Sequence, residues 1–222
     1  MKLLSLVLLF CAAIIIPAHG QEVANPSLTV QKIAVPASDF NRVQQDATPV
    51  PFEKTHAGSW QITIQNNLLY GNPKGSAILR INDANTADKF IEIGMSSPPE
   101  RRFWVALNFP DIGYIPATRI DKSGWFDGIN VIVANSDVQG VSISNGQRIV
   151  VSGVDLKEFV VGSYEVFGME ERTDPPAINS GSLNIEIMSG DVSKNPFHYY
   201  PFYVTGVVGA IIVTLLVLKK RS

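Results

Sequence analysis

In the stretch SWQITIQ, Trp60, Ile62 and Ile64 alternate with Gln61, Thr63 and Gln65. Successive side chains of a strand point to opposite faces, so this period of two predicts a half-buried strand. SAILRI, KFIEIGM, RFWVALNF, INVIVAN, GVSIS, QRIVV, SYEVFG and SLNIEIM continue the series as short apolar runs. Turn-forming clusters such as YGNPKG, SSPPE and DPPAINSG separate them. SISNGQRIV sets Asn145-Gly146 between two strands, the pair best suited to a tight hairpin because both residues tolerate positive φ. DLKEFVV holds the one candidate helical turn. Nine or ten short strands predict an all-β, antiparallel sandwich over residues 59–190. Residues 21–58, with Pro26, Pro36, Pro49 and Pro51, read as a polar lead-in containing one strand in SLTVQKIAV. No internal repeat recurs, which argues against solenoids and propellers.

The two ends break this pattern. Residues 201–218 carry no charge and are rich in Val, Ile and Leu. As a helix they would run roughly 27 Å, close to the hydrocarbon thickness of a bilayer, and they show no polar face. Aromatic residues of segment 191–200 precede the run, and Lys219, Lys220 and Arg221 of the tail 219–222 follow it. Interfacial rings on one side and cations on the other predict a single transmembrane helix with a cytoplasmic tail. Residues 1–20 have Lys2, an apolar stretch from Leu3 to Ile16 and a small-residue exit, the pattern of a secretory signal peptide. The expectation is a single-pass type I protein at the cell membrane, with residues 21–200 extracytoplasmic. Within the helix, Gly206 and Ala210 have the small-x-x-x-small spacing that permits close helix packing.

Two short resemblances bear on this reading. EFVVGSYEV resembles the Gly-x-Tyr approach to a late strand in immunoglobulin-like sandwiches. That resemblance implies an Ig-like sandwich with Tyr164 at a corner. The aromatic patch, spanning segment and basic cluster look like the C-terminal sorting signals of prokaryotic surface proteins, although NPFHYYPF lacks their short Pro-containing motif. KKRS is similar to the dilysine retrieval signal of endoplasmic-reticulum membrane proteins, which implies that membrane as the alternative location, with a luminal domain.

Charge narrows the partners. All 20 acidic residues and 14 of the 18 basic ones fall within residues 21–200, so the exterior part carries 14 − 20 = −6. A mildly acidic, mixed surface argues against nucleic acid, which calls for a basic patch. The lipid bilayer and protein partners in the envelope or membrane remain. Cys11 is the only cysteine and lies in the signal-like segment, so no disulfide is expected.

Catalytic chemistry is sparse. His56 and His198 are the histidines beyond the signal-like segment, and neither sits in a pattern suited to a serine triad or a zinc site. NDANTADKFIE gathers Asp83, Asn85, Asp88 and Glu92 as candidate calcium ligands, but the spacing fails the EF-hand pattern and favours a polar turn. Trp60 and Trp104 lie in apolar strand runs and read as core, whereas Trp125 in DKSGWFDG reads as a loop ring able to meet a ligand. Arg101 and Arg102 follow a Pro-Pro turn, where guanidinium forks suit an anion or a partner's carboxylate. No cofactor is expected. The reading is a non-enzymatic, membrane-anchored interaction module: a cell-surface protein or an accessory subunit of a membrane complex. The alternatives are a carbohydrate- or calcium-binding adhesion module and, behind it, an exterior hydrolase with a spatially assembled carboxylate pair.

Overall fold

The computed structural model describes residues 29–136 and 138–190. Twelve strands form among them: β1 (Thr29–Pro36), β2 (Val50–His56), β3 (Trp60–Tyr70), β4 (Ser76–Asp83), β5 (Phe90–Ser96), β6 (Phe103–Phe109), β7 (Gly113–Ile120), β8 (Asn130–Ser136), β9 (Gly140–Ser144), β10 (Ile149–Val154), β11 (Val161–Phe167) and β12 (Ile178–Ser189). They make two antiparallel six-stranded sheets, the first ordered β1-β12-β3-β8-β9-β10 and the second β2-β11-β4-β5-β6-β7. Ile62, Ile64 and Ile185 of the first sheet and Ile81, Ile93 and Phe103 of the second belong to one buried cluster. The two sheets are thus the layers of a sandwich, each hiding alternate side chains against the other.

The immunoglobulin-like arrangement does not appear. That fold has seven to nine strands, whereas here the terminal strands β1 and β12 pair and β4 to β7 run as a consecutive meander. Tyr164 is a core residue, 7% exposed, with its ring 5.3 Å from that of Phe52. The sandwich also begins earlier than residue 59, because β1 and β2 both lie within the segment expected as a lead-in.

β2 and β7 escape the alternation pattern for one reason. Each carries a proline (Pro51 and Pro116), and together they are the two edges of the second sheet. Proline has no N–H for a ladder and is confined to edges, where solvent on one side also blurs the apolar period.

Helical turns form elsewhere than expected. DLKEFVV is irregular because Lys157 and Glu158 adopt positive φ (43° and 55°), the wrong hand for a right-handed turn. Two 3-10 turns instead join β1 to β2, at Ala37–Phe40 and Gln44–Asp46, and Phe40 is fully buried. The β9–β10 hairpin does form, but only Gly146 takes positive φ, 88°. Asn145 turns its side chain inward, its Oδ1 accepting from the backbone N–H groups of Gln147 and Arg148 and its Nδ2 donating to the Gly124 carbonyl.

The register gives the sandwich two distinct ends. Thr29 and Trp60 both pair with Ser189, and His56 Nδ1 lies 2.6 Å from Ser189 Oγ, linking β2 of the second sheet to the same end. β12 finishes there. The β4–β5 rung Ser76↔Ser96 and the β6–β7 rung Trp104↔Arg119 lie toward the opposite end. Among the described residues no helix is long and apolar enough to cross a membrane. Residues 1–20, His198, Gly206, Ala210 and the apolar run 201–218 lie outside them.

Burial, helped by nearby Lys54, lowers the pKa of His56 below the ordinary histidine value. The folded chain therefore holds it neutral. Stability from this group is complete above the unfolded value of about 6.5 and is lost as pH falls below it, because the unfolded chain takes up the proton first. Thermal unfolding should show a smaller fall in Tm between about pH 7 and 5 for His56→Gln than for wild type; identical slopes would contradict this.

Candidate functional site

The strongest concentration of organised chemistry lies on the outer face of the second sheet. Ile91, Ile93 and Met95 of β5 point into the core, so Phe90, Glu92 and Gly94 point out. In β6, Phe103, Val105 and Leu107 point in and Trp104, Ala106 and Asn108 point out. Trp104 is therefore not the core residue that its apolar run suggested. The interior neighbours of that run hid the alternation, because the outward positions are also largely apolar.

Register sets these outward residues in rows. Arg80, Glu92, Ala106 and Pro116 form one row across β4 to β7, and Gly94, Trp104 and Arg119 the next. A Cβ on Gly94 would lie 1.9 Å from Trp104 Cε2, 2.0 Å from Cζ2 and 2.5 Å from Cδ2. These are atoms in the middle of the indole, so the ring lies across the glycine, one face packed on backbone and the other turned outward. Only glycine permits this.

Glu92 pins the platform. Its Oε1 accepts from Trp104 Nε1 at 3.1 Å and from the Tyr114 hydroxyl at 2.8 Å. Its Oε2 accepts from Arg80 Nε at 2.9 Å and pairs with Nη2 at 2.8 Å. The Arg80 guanidinium sits 4.4 Å from the Phe90 ring centre and 4.9 Å from that of Phe167. With its amide oxygen turned toward this group, Gln44 accepts from Nη1 and Nη2 at 2.9 and 3.1 Å. Burial, reinforced by the Glu92 carboxylate, raises the Tyr114 pKa far above that of a free phenol, so its hydroxyl stays a donor to Glu92.

A groove of about 440 Å³ opens beside this network, lined by Trp104, Tyr114, Pro116, Arg102, Arg119, Lys74, Glu100 and Glu170 among others. Its size is that of a small-ligand site. One aromatic face surrounded by hydrogen-bonding groups can stack against an apolar patch of a ligand while the rim meets its hydroxyls.

The residues singled out from sequence are distributed differently. Arg102 borders this groove and pairs with Glu100. Arg101 takes φ 52°, and the chain reversal sends its side chain to a separate cleft of about 480 Å³, where it pairs with Asp127 at 2.6 Å and lies 5.0 Å from the Trp125 ring. Trp125 lines that cleft but is only 1% exposed. Its Nε1 donates to the Ser96 carbonyl at 2.9 Å and its ring sits 5.5 Å from that of Tyr70. It is not the free loop ring expected, because Gly124 lets the loop press against Phe103.

The calcium grouping comes apart on the pleat. Asp83 points inward and forms an ion pair with Lys89 at 3.2 Å, while its Oδ1 accepts from the Asn85 and Val160 N–H groups. Glu92 points outward to Arg80, and Asp88 is exposed at φ 58°. Among the described residues no three His, Cys, Asp or Glu side chains are grouped to hold a metal.

No protein-family model matches the sequence, nor does any curated protein. Among solved structures, this chain is similar to a carbohydrate-binding module, CBM66, from Bacillus subtilis (8% identity, TM-score 0.36, covering 65% of this chain and 79% of that one). Sheep galectin-11 is similar at 10% identity and TM-score 0.40, covering 63% and 95% of the two chains. A beta-fructofuranosidase from Schwanniomyces occidentalis reaches 13% identity and TM-score 0.43, covering 73% of this chain but 34% of the enzyme.

Gly94→Ala should drive the indole off the sheet, costing about 1–3 kcal/mol by overpacking and shifting tryptophan emission. Glu92→Gln should cost about 3–5 kcal/mol, because it leaves the Arg80 charge buried without a counter-ion. Denaturant unfolding checks both. A Gly94→Ala protein with wild-type stability and emission would show that the indole does not rest there.

Proposed function

We propose that the chain is a non-catalytic, membrane-anchored exterior module that binds carbohydrate on the outer face of its second sheet. One observation carries the reading: Trp104 is laid across Gly94 and fixed at its Nε1 by Glu92, leaving one indole face open to a groove. Sugar rings offer an apolar face of C–H groups and a rim of hydroxyls. A pre-positioned indole with Arg, Lys and Glu around it meets both, and the ordering cost has already been met in folding.

The same network weighs against hydrolysis. Glu92 accepts from Arg80, Trp104 and Tyr114, so its lone pairs are committed to holding side chains rather than free for acid–base work. For the anchor, the apolar run 201–218 and its flanking cations support a single membrane span, and the signal-like residues 1–20 support export. β12 finishes at the end of the sandwich away from the Trp104 row, so a ligand approaches the groove from the side away from the chain's exit. Protein association in the membrane through Gly206 and Ala210 is compatible with this role.

A glycan array probed with the full-length chain in detergent tests the reading. Retention of a defined glycan class that falls at least tenfold in Trp104→Ala, with the protein still folded at the assay temperature, is the expected result. Absence of retention across neutral and acidic glycans, or retention indifferent to Trp104, would refute it. Alkaline carbonate should leave the intact chain in the membrane fraction; release would refute the anchor.

A further inference from the structure

The neighbours of Trp104 on the sheet are more specific than an aromatic platform requires. Arg102 lies just ahead of β6, two residues before Trp104, and borders the same groove. Arg119 is the register partner of Trp104 on β7, directly opposite, where side chains on one face lie about 5 Å apart at Cβ. Lys74 borders the same groove. On its remaining sides the indole meets Gly94 and the row of Arg80, Glu92, Ala106 and Pro116, in which the two charges are paired with each other.

We infer that this groove takes an acidic sugar: Trp104 stacks on the ring of a uronic acid residue while the Arg102 and Arg119 guanidiniums receive its carboxylate. The inference rests on the carbohydrate reading above and names the ligand class within it. Both arginines are exposed and hold only exposed counter-ions. Arg102 pairs with Glu100 at 42% and 48% side-chain exposure, and Arg119 with Asp121 at 63% and 68%. Exposed pairs of this kind contribute little and exchange readily for another carboxylate. A sugar carboxylate stacked beside the indole would be partly desolvated and could be held by two N–H groups of one fork.

Arg80 and Arg101 show what unavailable arginines look like here. Arg80 is 9% exposed and bound to Glu92 between two phenyl rings. Arg101 lies over Trp125 and is held by Asp127. The groove lining counts Lys74, Arg102 and Arg119 against Glu100 and Glu170, a local +1 on an exterior part that carries −6. The groove lining thus has the opposite sign to the net charge of the exterior part, which favours an anion there.

Isothermal titration of the full-length chain in detergent micelles tests the inference. The probes are oligomers of galacturonate, glucuronate and mannuronate, each beside its carboxyl-reduced neutral counterpart. The expected result is that at least one uronate oligomer binds tenfold or more tightly than its reduced form. Arg102→Gln and Arg119→Gln should each lower that affinity fivefold or more without changing Tm, with a markedly smaller loss for the reduced form, and raised salt should weaken the uronate more than the reduced form. Equal binding of acidic and reduced forms, indifference to both arginines, or neutral glycans retained through Trp104 with no uronate bound would each overturn the acidic-sugar inference and leave the Trp104 platform standing. Absence of any Trp104-dependent glycan binding would remove both.

Discussion

The two-residue alternation of side chains across a pleated strand governs everything described here. In β5 and β6 it sends Ile91, Ile93, Phe103 and Val105 into the core. The same alternation leaves Glu92, Gly94 and Trp104 on the outside, in adjacent rows fixed by register. A slip of one residue in β5 would exchange the two sets, placing a carboxylate in the core and isoleucines in water. Burial of the inner set therefore determines the geometry of the outer set.

Glu92 and Arg80 occupy an unusual position, buried although they lie on an outer face. Covering a charge pair with aromatic rings takes it out of water, and such pairs rarely add net stability. Their effect here is orientation: a single carboxylate fixes an indole, a phenol and a guanidinium together. A surface tryptophan left to itself would sample several rotamers, each of which a ligand would have to suppress. Linking it to a hydrogen-bonded carboxylate moves that ordering from binding into folding.

Position within the sandwich matters as much as chemistry. The terminal strands pair side by side and meet β3 at Ser189, so the chain enters and leaves the sheet at one end. The Trp104–Arg119 rung is toward the other end. Arg101 and Arg102, consecutive in sequence, serve different cavities because one left-handed residue turns the chain between them.

Local pattern alone established the class of fold: ten of the strands appear as short apolar runs divided by turn residues, since alternation is a property of the strand itself. It also marked the apolar run 201–218 and the absence of a histidine- or cysteine-based catalytic pattern. Tertiary structure decided the rest. It recruited β2 and β7, whose prolines conceal them, as edges, where a missing N–H is tolerated. It turned Trp104 outward and Trp125 inward, reversing the sequence reading, because neither a continuous apolar run nor a polar loop states which side of a sheet a ring will occupy. And it separated Asp83 from Glu92, close in sequence yet on opposite faces, while bringing Glu92 to Tyr114 across three strands. Those relations depend on register, which is set by pairing between strands and by burial against the second layer, not by neighbours along the chain.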